Sequence, residues 1–262
     1  MKESTINHSS AIAASELIIT DEGRIYHINL CPTDIADDVI VVGDQERVKQ
    51  VSKHFDSIEI KEAKREFITH TGYYKGKRIT VLSTGIGTDN IDIAINELDA
   101  CVNIDFKTRE TKENKKKLNI IRIGTSGSLQ EEIPVDSFVV SSYGLGFDGL
   151  LAFYKTAFEN DEIELKNAFI NQMKWPKNAN IPYFTRGNNE LISRIGKEMY
   201  KGITATANGF YGPQGRSLRL ATEVPDLNEQ LNQFNFKNQK ITNLPIRNRN
   251  HQTSFKRNVQ SQ

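Results

Sequence analysis

Cysteine is nearly absent. Cys31 and Cys101 are the only two in 262 residues, too few for a disulfide framework and without the close spacing of a metal or redox pair. Such usage fits a reducing compartment, and the cytoplasm is the expected address. No stretch approaches the about 18 consecutive apolar residues that a membrane-spanning helix needs. Residues 1–20 carry Lys2 and a short Ala-Ile-Ala-Ala, but not the continuous apolar core of a signal peptide. Charge of one sign is also missing: 34 Lys and Arg stand against 33 Asp and Glu, a net charge of +1. No whole-surface field favours nucleic acid or membrane, so any anion site must be local. From Gln230 to Gln262 acidic residues disappear altogether, while Asn and Gln crowd in.

What remains is ordinary for a globular chain, 37% hydrophobic and 26% charged, and nothing in the composition forces more than one domain. Residues 1–15 are small and polar and read as loose. Val39–Val42 is a β-branched run that ends at Gly43-Asp44. Val48, Val51 and Phe55 then recur at helical spacing. Phe67–Tyr74 and Arg78–Ser83 read as a hairpin around Lys75-Gly76-Lys77. Gly85-Ile86-Gly87 opens a helix whose apolar positions are Ile91, Ala94, Ile95, Leu98, Cys101 and Val102. Lys107–Lys117 is basic but has no interleaved aromatics, so it reads as a solvated linker rather than an RNA-binding surface. Ser137–Ser142 and Ile203–Ala207 read as strands, Asn188–Tyr200 as a helix and Leu145–Tyr154 as a loop. No internal repeat is present.

The centre of the pattern is Leu118–Gln130. Leu118, Ile120, Ile121 and Ile123 suit a strand buried on both faces, so Arg122 among them requires an acidic partner or an anionic ligand. Gly124-Thr125-Ser126-Gly127 then suggests a tight turn at the strand end, where open α/β sheets place ligands. Gly43-Asp44-Gln45-Glu46-Arg47 sits at a strand-to-helix junction, where backbone N–H groups and Arg47 could bind an anion. Taken alone, a helix capped by Asp44 with a solvated Arg47 explains that pattern better. Arg122 and Thr125 shift the balance toward the anion. Gly85-Ile-Gly87 lacks the third glycine of a dinucleotide fingerprint, and serves equally as a phosphate turn or a structural one. In Gly209–Arg216, Phe210 offers a stacking face, Gln214 a donor and an acceptor, and Arg216 a planar fork, a set suited to a pyrimidine edge. An ordinary Gly-Pro turn accounts for the same residues. His27, by itself, reads as structural.

Taken in order, Tyr26-His-Ile-Asn-Leu30, Val41–Val48, Arg65-Glu-Phe67, Ser83–Asn90, Arg122–Gln130 and Gly209–Arg216 resemble the uridine phosphorylases of the nucleoside phosphorylase family. The resemblance spans Ile25–Leu231, and the joint order is far more specific than any single motif. It implies a three-layer α/β/α fold with a central mixed sheet, in one domain of residues 1–243. It also implies phosphorolysis of uridine to uracil and ribose 1-phosphate, in nucleoside catabolism and pyrimidine salvage. Inorganic phosphate would be a substrate held by Gly43, Arg47, Arg122 and Thr125, with Arg65 reaching it from a neighbouring subunit. His27 would cross the same interface to the ribose 5′-hydroxyl. Phe210 would line the base pocket, Gln214 would read the uracil amide edge and Arg216 would bond O4. Arg47, Arg122, Thr125, Gln214 and Arg216 form the implied catalytic set. Neither metal nor cofactor is implied, nor any nucleic-acid or membrane partner. The implied assembly is a homodimer sharing two sites, commonly built into a hexamer.

The resemblance ends near Asn243. The family continues with a Met-Glu pair, whose glutamate binds the ribose 2′- and 3′-hydroxyls, and then with a further strand and helix. Here Lys240-Ile241-Thr242-Asn243 is followed by Leu-Pro-Ile-Arg-Asn-Arg-Asn, with no acid. Residues 244–262 are therefore expected to be an aberrant, unstructured tail replacing the family's last elements, as an interrupted reading frame would produce. Two alternatives to uridine cleavage stay open: a purine or broad-specificity nucleoside phosphorylase, and an inactive relative that binds nucleoside or phosphate.

Overall fold

The computed structural model describes residues 11–245 and 257–261. Expectations for residues 1–10, 246–256 and 262 lie outside the described residues. The described residues divide into two compact units, 11–123 and 124–245 with 257–261.

In the first unit the β-branched run forms β1 (Asp38–Val42), followed by α1 (Gln45–Ser52). Next come β2 (Ser57–Lys64), β3 (Phe67–Tyr74) and β4 (Lys77–Ser83), then α2 (Thr88–Asn103). A small antiparallel pair, β5 (Ile104–Asp105) and β6 (Glu110–Thr111), precedes β7 (Asn119–Ser128). β1 lies between β4 and the first half of β7, parallel to both. β2, β3 and β4 are antiparallel neighbours, so the sheet is mixed.

β1 shows why the sequence reads as it does. Val39 and Val41 enter a large core with Leu30, Phe67, Leu82, Leu98 and Cys101, while Val42 joins Val48 and Val81 on the other face. A strand apolar on both sides needs cover on both. α2 supplies it through Ala94, Leu98 and Cys101, and α1 through Val48. Within α2, Ile95 departs from the expected buried stripe and is exposed. β2, which alternates half-buried and exposed positions, is an edge strand that sequence reading overlooks.

The second unit contains β8 (Phe138–Gly146), α3 (Asn160–Gln172), β9 (Tyr183–Arg186), α4 (Asn189–Ile195) and β10 (Tyr200–Thr206). α5 (Leu227–Gln233), β11 (Asn235–Phe236), β12 (Gln239–Pro245) and β13 (Arg257–Ser261) complete it. β10 lies parallel to both β8 and β12, and β9 runs antiparallel on β8. Phe169 contacts Phe147, Trp175, Phe184 and Phe234 within an aromatic core.

Three expectations change. Gly124–Gly127 is not a turn: β7 continues to Ser128, neither glycine has positive φ, and Ser126–Ser128 pairs with Asn243–Pro245 of β12. The pairing strand overrides the local glycine signal. The helix expected over Asn188–Tyr200 stops at Ile195, capped by Gly196, and Tyr200 already belongs to β10. Leu145 and Gly146 belong to β8 rather than to a loop, and Phe147 is buried. Leu244 and Pro245 extend β12, and β13 pairs with β7 and β8.

Candidate functional site

In the first unit Gly43 and Arg122, two of the residues expected to hold phosphate, come together near the ends of its parallel strands. Arg122 lies beside Val41 in the β1–β7 register, two residues before Gly43. A β-carbon built on Gly43 would sit 3.7 Å from Arg122 Nη2 and 3.5 Å from the Gly85 carbonyl oxygen. Thr84 N–H donates to the Val42 carbonyl at 2.9 Å, which carries the second glycine turn to the same strand end. That turn does need glycine: φ is +72° at Gly85 and +105° at Gly87.

Asp44 caps α1, its carboxylate accepting from Glu46 N–H at 3.0 Å, so the capping role weighed from sequence is real. It coexists with the arginine pair. Burial, and after it the charge of Arg47, holds the Arg122 guanidinium below the usual arginine pKa. Among the described residues no carboxylate forms an ion pair with Arg122. Two like charges with one desolvated repel each other, and an anion between them relieves both costs.

Arg65 occupies the β2–β3 turn with φ +54°. Gln45, the first residue of α1, fixes that turn by donating from Nε2 to the Arg65 carbonyl at 2.7 Å. The Arg65 guanidinium lies 5.9 Å from the Tyr26 ring, and Lys64 sits over the same ring at 4.0 Å. Beside it, His27 meets Tyr26 edge-on at 4.9 Å and faces Glu97 through Nδ1 at 2.6 Å. Sequence reading missed Gln45 and Glu97, because their partners lie far along the chain.

In the second unit Thr125 lies on β7, while Phe210, Gln214 and Arg216 share one loop. Tyr211 carbonyl accepts from both Gln214 N–H and Arg216 N–H at 2.9 Å. Gly215, at φ +67°, makes this curl possible, since a β-carbon there would press on Leu227 at 3.0 Å. Gln214 is buried. The Arg216 guanidinium stacks 4.6 Å from the Phe210 ring centre, and burial lowers its pKa. One face of Phe210 is therefore already covered by a cation. Gly43, Arg47 and Arg122 thus come together in one unit, and Phe210, Gln214 and Arg216 in the other.

Among the described residues no cluster of His, Cys, Asp or Glu could hold a metal ion, and no helix is long and apolar enough to cross a membrane.

These features define an α/β protein with a mixed sheet, in which Arg122 of β7 lies beside Gly43 at the junction of β1 and α1. The chain belongs to the phosphorylase superfamily, whose family model matches residues 37–237. It is 32% identical over 197 residues to the uridine phosphorylase of Thermococcus kodakarensis, covering 75% of this chain and 60% of that one. The chain therefore spans less than two thirds of that relative's length. A DeoD-type purine nucleoside phosphorylase of a Thermoanaerobacter species is 34% identical over 116 residues, 44% of each chain. The crystal structure of a Trypanosoma brucei nucleoside phosphorylase, described as showing uridine phosphorylase activity, superposes with a TM-score of 0.79. It is 28% identical and covers 88% of this chain and 83% of that one.

Proposed function

We propose that the protein cleaves uridine with inorganic phosphate, giving uracil and ribose 1-phosphate. The observation that carries this reading is the half-buried Arg122 side chain, its guanidinium beside Gly43 and under the field of Arg47, with no carboxylate ion pair among the described residues, in a chain of the phosphorylase superfamily.

In this reaction a phosphate oxygen bonds to the anomeric carbon as the C1′–N1 bond breaks, and the bonding pair leaves with the base. Gly43, Arg47, Arg122 and Thr125 hold the phosphate dianion, with Arg65 supplied by a neighbouring subunit of a homodimer or hexamer. His27 binds the ribose 5′-hydroxyl. The sugar passes through an oxocarbenium-like state, for which positioned phosphate matters more than a strong base. Phe210 packs on the base, and Gln214 and Arg216 donate to the uracil as it gathers negative charge. One such donor typically lowers the barrier by about 3 kcal/mol. The scheme needs no cofactor, and a cytoplasmic setting suits it. Gln214 and Arg216 favour uracil over a purine because both edges they can pair with belong to it.

Phosphate-dependent uracil release, followed by absorbance with thymidine and inosine in parallel, tests the reading. Release of uracil only with phosphate supports it, and release of hypoxanthine alone would replace it with the purine reading. One observation favours a second reading, a relative that binds phosphate and nucleoside without turnover: Lys240-Ile241-Thr242-Asn243 runs into Leu-Pro-Ile-Arg-Asn-Arg-Asn, with no acid where the resemblance implies the ribose-binding glutamate. Calorimetric phosphate binding without uracil release would select it.

A further inference from the structure

Glu97, on α2, is the acceptor for an entire turn of chain around His27. Its Oε2 accepts from Ile28 N–H at 2.8 Å, and both carboxylate oxygens lie within 3.2 Å of His27 N. Oε1 also faces His27 Nδ1 at 2.6 Å. An ionised carboxylate can only accept hydrogen bonds, so the ring nitrogen turned toward it must carry hydrogen. That leaves Nε2 as the nitrogen a ligand can meet. The ring is held from a second side, edge-on against Tyr26 at 4.9 Å, and the His27 side chain keeps 29% of its surface accessible whereas Glu97 keeps 13%. A partly exposed histidine with one nitrogen anchored by a sheltered carboxylate is built to present the other nitrogen in a fixed direction.

We infer that Glu97 is a positioning residue: it locks the His27 ring with Nδ1–H toward the carboxylate and presents Nε2 to the 5′-hydroxyl of the nucleoside. The identity of that hydroxyl rests on the phosphorolysis reading, whereas the ring orientation does not. A purely structural Glu97, serving only the backbone of residues 27 and 28, would affect every substrate alike. A positioning Glu97 distinguishes nucleosides by what stands at the 5′ carbon.

Two measurements test this. Nitrogen NMR of the histidine ring at alkaline pH reads which nitrogen of His27 carries hydrogen; Nδ1–H is expected in the wild type and should be lost in Glu97→Gln. Binding of uridine and of 5′-deoxyuridine is then compared for wild type, Glu97→Gln, His27→Ala and the double variant. The wild-type preference for uridine should fall roughly tenfold in either single variant, one hydrogen bond's worth, and no further in the double variant. Glu97→Asp, a shorter carboxylate, should recover part of the preference. An Nε2–H tautomer in the wild type would overturn the inference, as would a Glu97→Gln variant that weakens both nucleosides equally. A wild type that binds uridine and 5′-deoxyuridine equally would overturn the inference alone. A wild type that binds neither would overturn the phosphorolysis reading as well, and with it the hydroxyl assigned to Nε2.

Discussion

Gly43 and Arg122 lie so close that a β-carbon on the glycine would sit 3.7 Å from the arginine Nη2. That is ordinary van der Waals contact, and Gly43 is not among the residues with positive φ, so the fold accepts alanine there. Removing glycine also restricts the unfolded chain, a gain of about 0.4 to 1 kcal/mol at a compatible site. The added methyl nevertheless occupies the space through which an anion would approach the guanidinium. Gly43→Ala is expected to melt at or slightly above the wild-type temperature while phosphate affinity falls roughly tenfold, about 1.4 kcal/mol. Paired calorimetry and thermal melts check both. Undiminished affinity would place phosphate elsewhere.

Arg122 carries the complementary prediction. Arg122 is half-buried and forms no ion pair with a carboxylate among the described residues; such a cation costs stability, and an apolar side chain of similar length removes that cost. Arg122→Met should therefore be as stable as wild type or more so without ligand. It should also lose a charge-assisted bond to phosphate, about 1.5 to 3 kcal/mol or roughly tenfold to a hundredfold in affinity. The wild type should gain about 2.7 kcal/mol of stability at phosphate a hundredfold above its dissociation constant, and the variant very little. A variant that is strongly destabilised and still binds phosphate would mean Arg122 serves the fold.

Much of this was legible because the signals are local. The run Val39–Val42 before Gly43-Asp44 encodes a strand, turn and helix within a dozen or so residues, and an arginine inside Leu118–Ile123 is conspicuous wherever the strand packs. The Gly85 and Gly87 turn announces itself for the same reason. Gly124–Gly127 misleads because its pairing partner, Asn243–Pro245, lies more than a hundred residues away, beyond anything local composition can register. Glu97 and Gln45 were silent for a similar reason: each acts on a segment distant in sequence, His27 for one and Arg65 for the other. β2 and α3 escaped because Lys and Glu make up half of the first, and the buried residues of the second are a glutamate, Glu162, with only two large apolar side chains, Leu165 and Phe169.

Phe210 and Arg216 form a stacked pair, with the guanidinium carbon 4.6 Å from the ring centre. The ring holds the cation in one plane, so its loss should act through Arg216 as well as through lost packing on the base. Phe210→Leu keeps apolar volume but removes the aromatic face. Uridine affinity is expected to fall roughly three- to tenfold, from a contact worth about 0.5 to 1 kcal/mol plus packing. In Arg216→Met the same change should have a smaller effect, because the shared part is already gone. Additive losses in the double variant would show that the two residues act separately.

His70 offers a test by pH. Its Nδ1 meets Ser52 Oγ at 2.8 Å, both side chains being buried. Burial first, then Lys61 and Lys49, hold its pKa below the usual histidine value. Because the folded value is lower, the unfolded chain takes up the proton first as pH falls. The stability contributed by neutral His70 is thus fully present above the unfolded pKa of about 6.5 and is lost as pH drops through it toward the folded value. Urea midpoints measured from about pH 7.5 down to about pH 5 should decline more steeply in wild type than in His70→Asn. Parallel declines would assign the acid sensitivity to other groups.

Asn243 is wholly buried, and every polar atom of its amide group is engaged. Its Oδ1 accepts from Thr204 Oγ1 at 2.9 Å and Thr242 Oγ1 at 2.8 Å, and its Nδ2 donates to Ser126 Oγ at 2.9 Å. Thr204 continues the chain to Ser141 Oγ at 2.6 Å, so one amide stitches β7, β8, β10 and β12. Asn243→Leu fills similar volume but strips Ser126 and two threonines of this partner, and should cost about 1 to 3 kcal/mol. Asn243→Asp is the sharper test because it exchanges a donor for a buried charge. Desolvation would raise the folded pKa of that carboxyl above its unfolded value of about 3.9. The unfolded chain then ionises first as pH rises, so this variant should lose stability from acid toward neutral pH, opposite in sign to the effect at His70. If Asn243→Asp were as stable as wild type at neutral pH, water would have to reach a carboxylate at this position, and the closed network around it could not be what holds these strands in register.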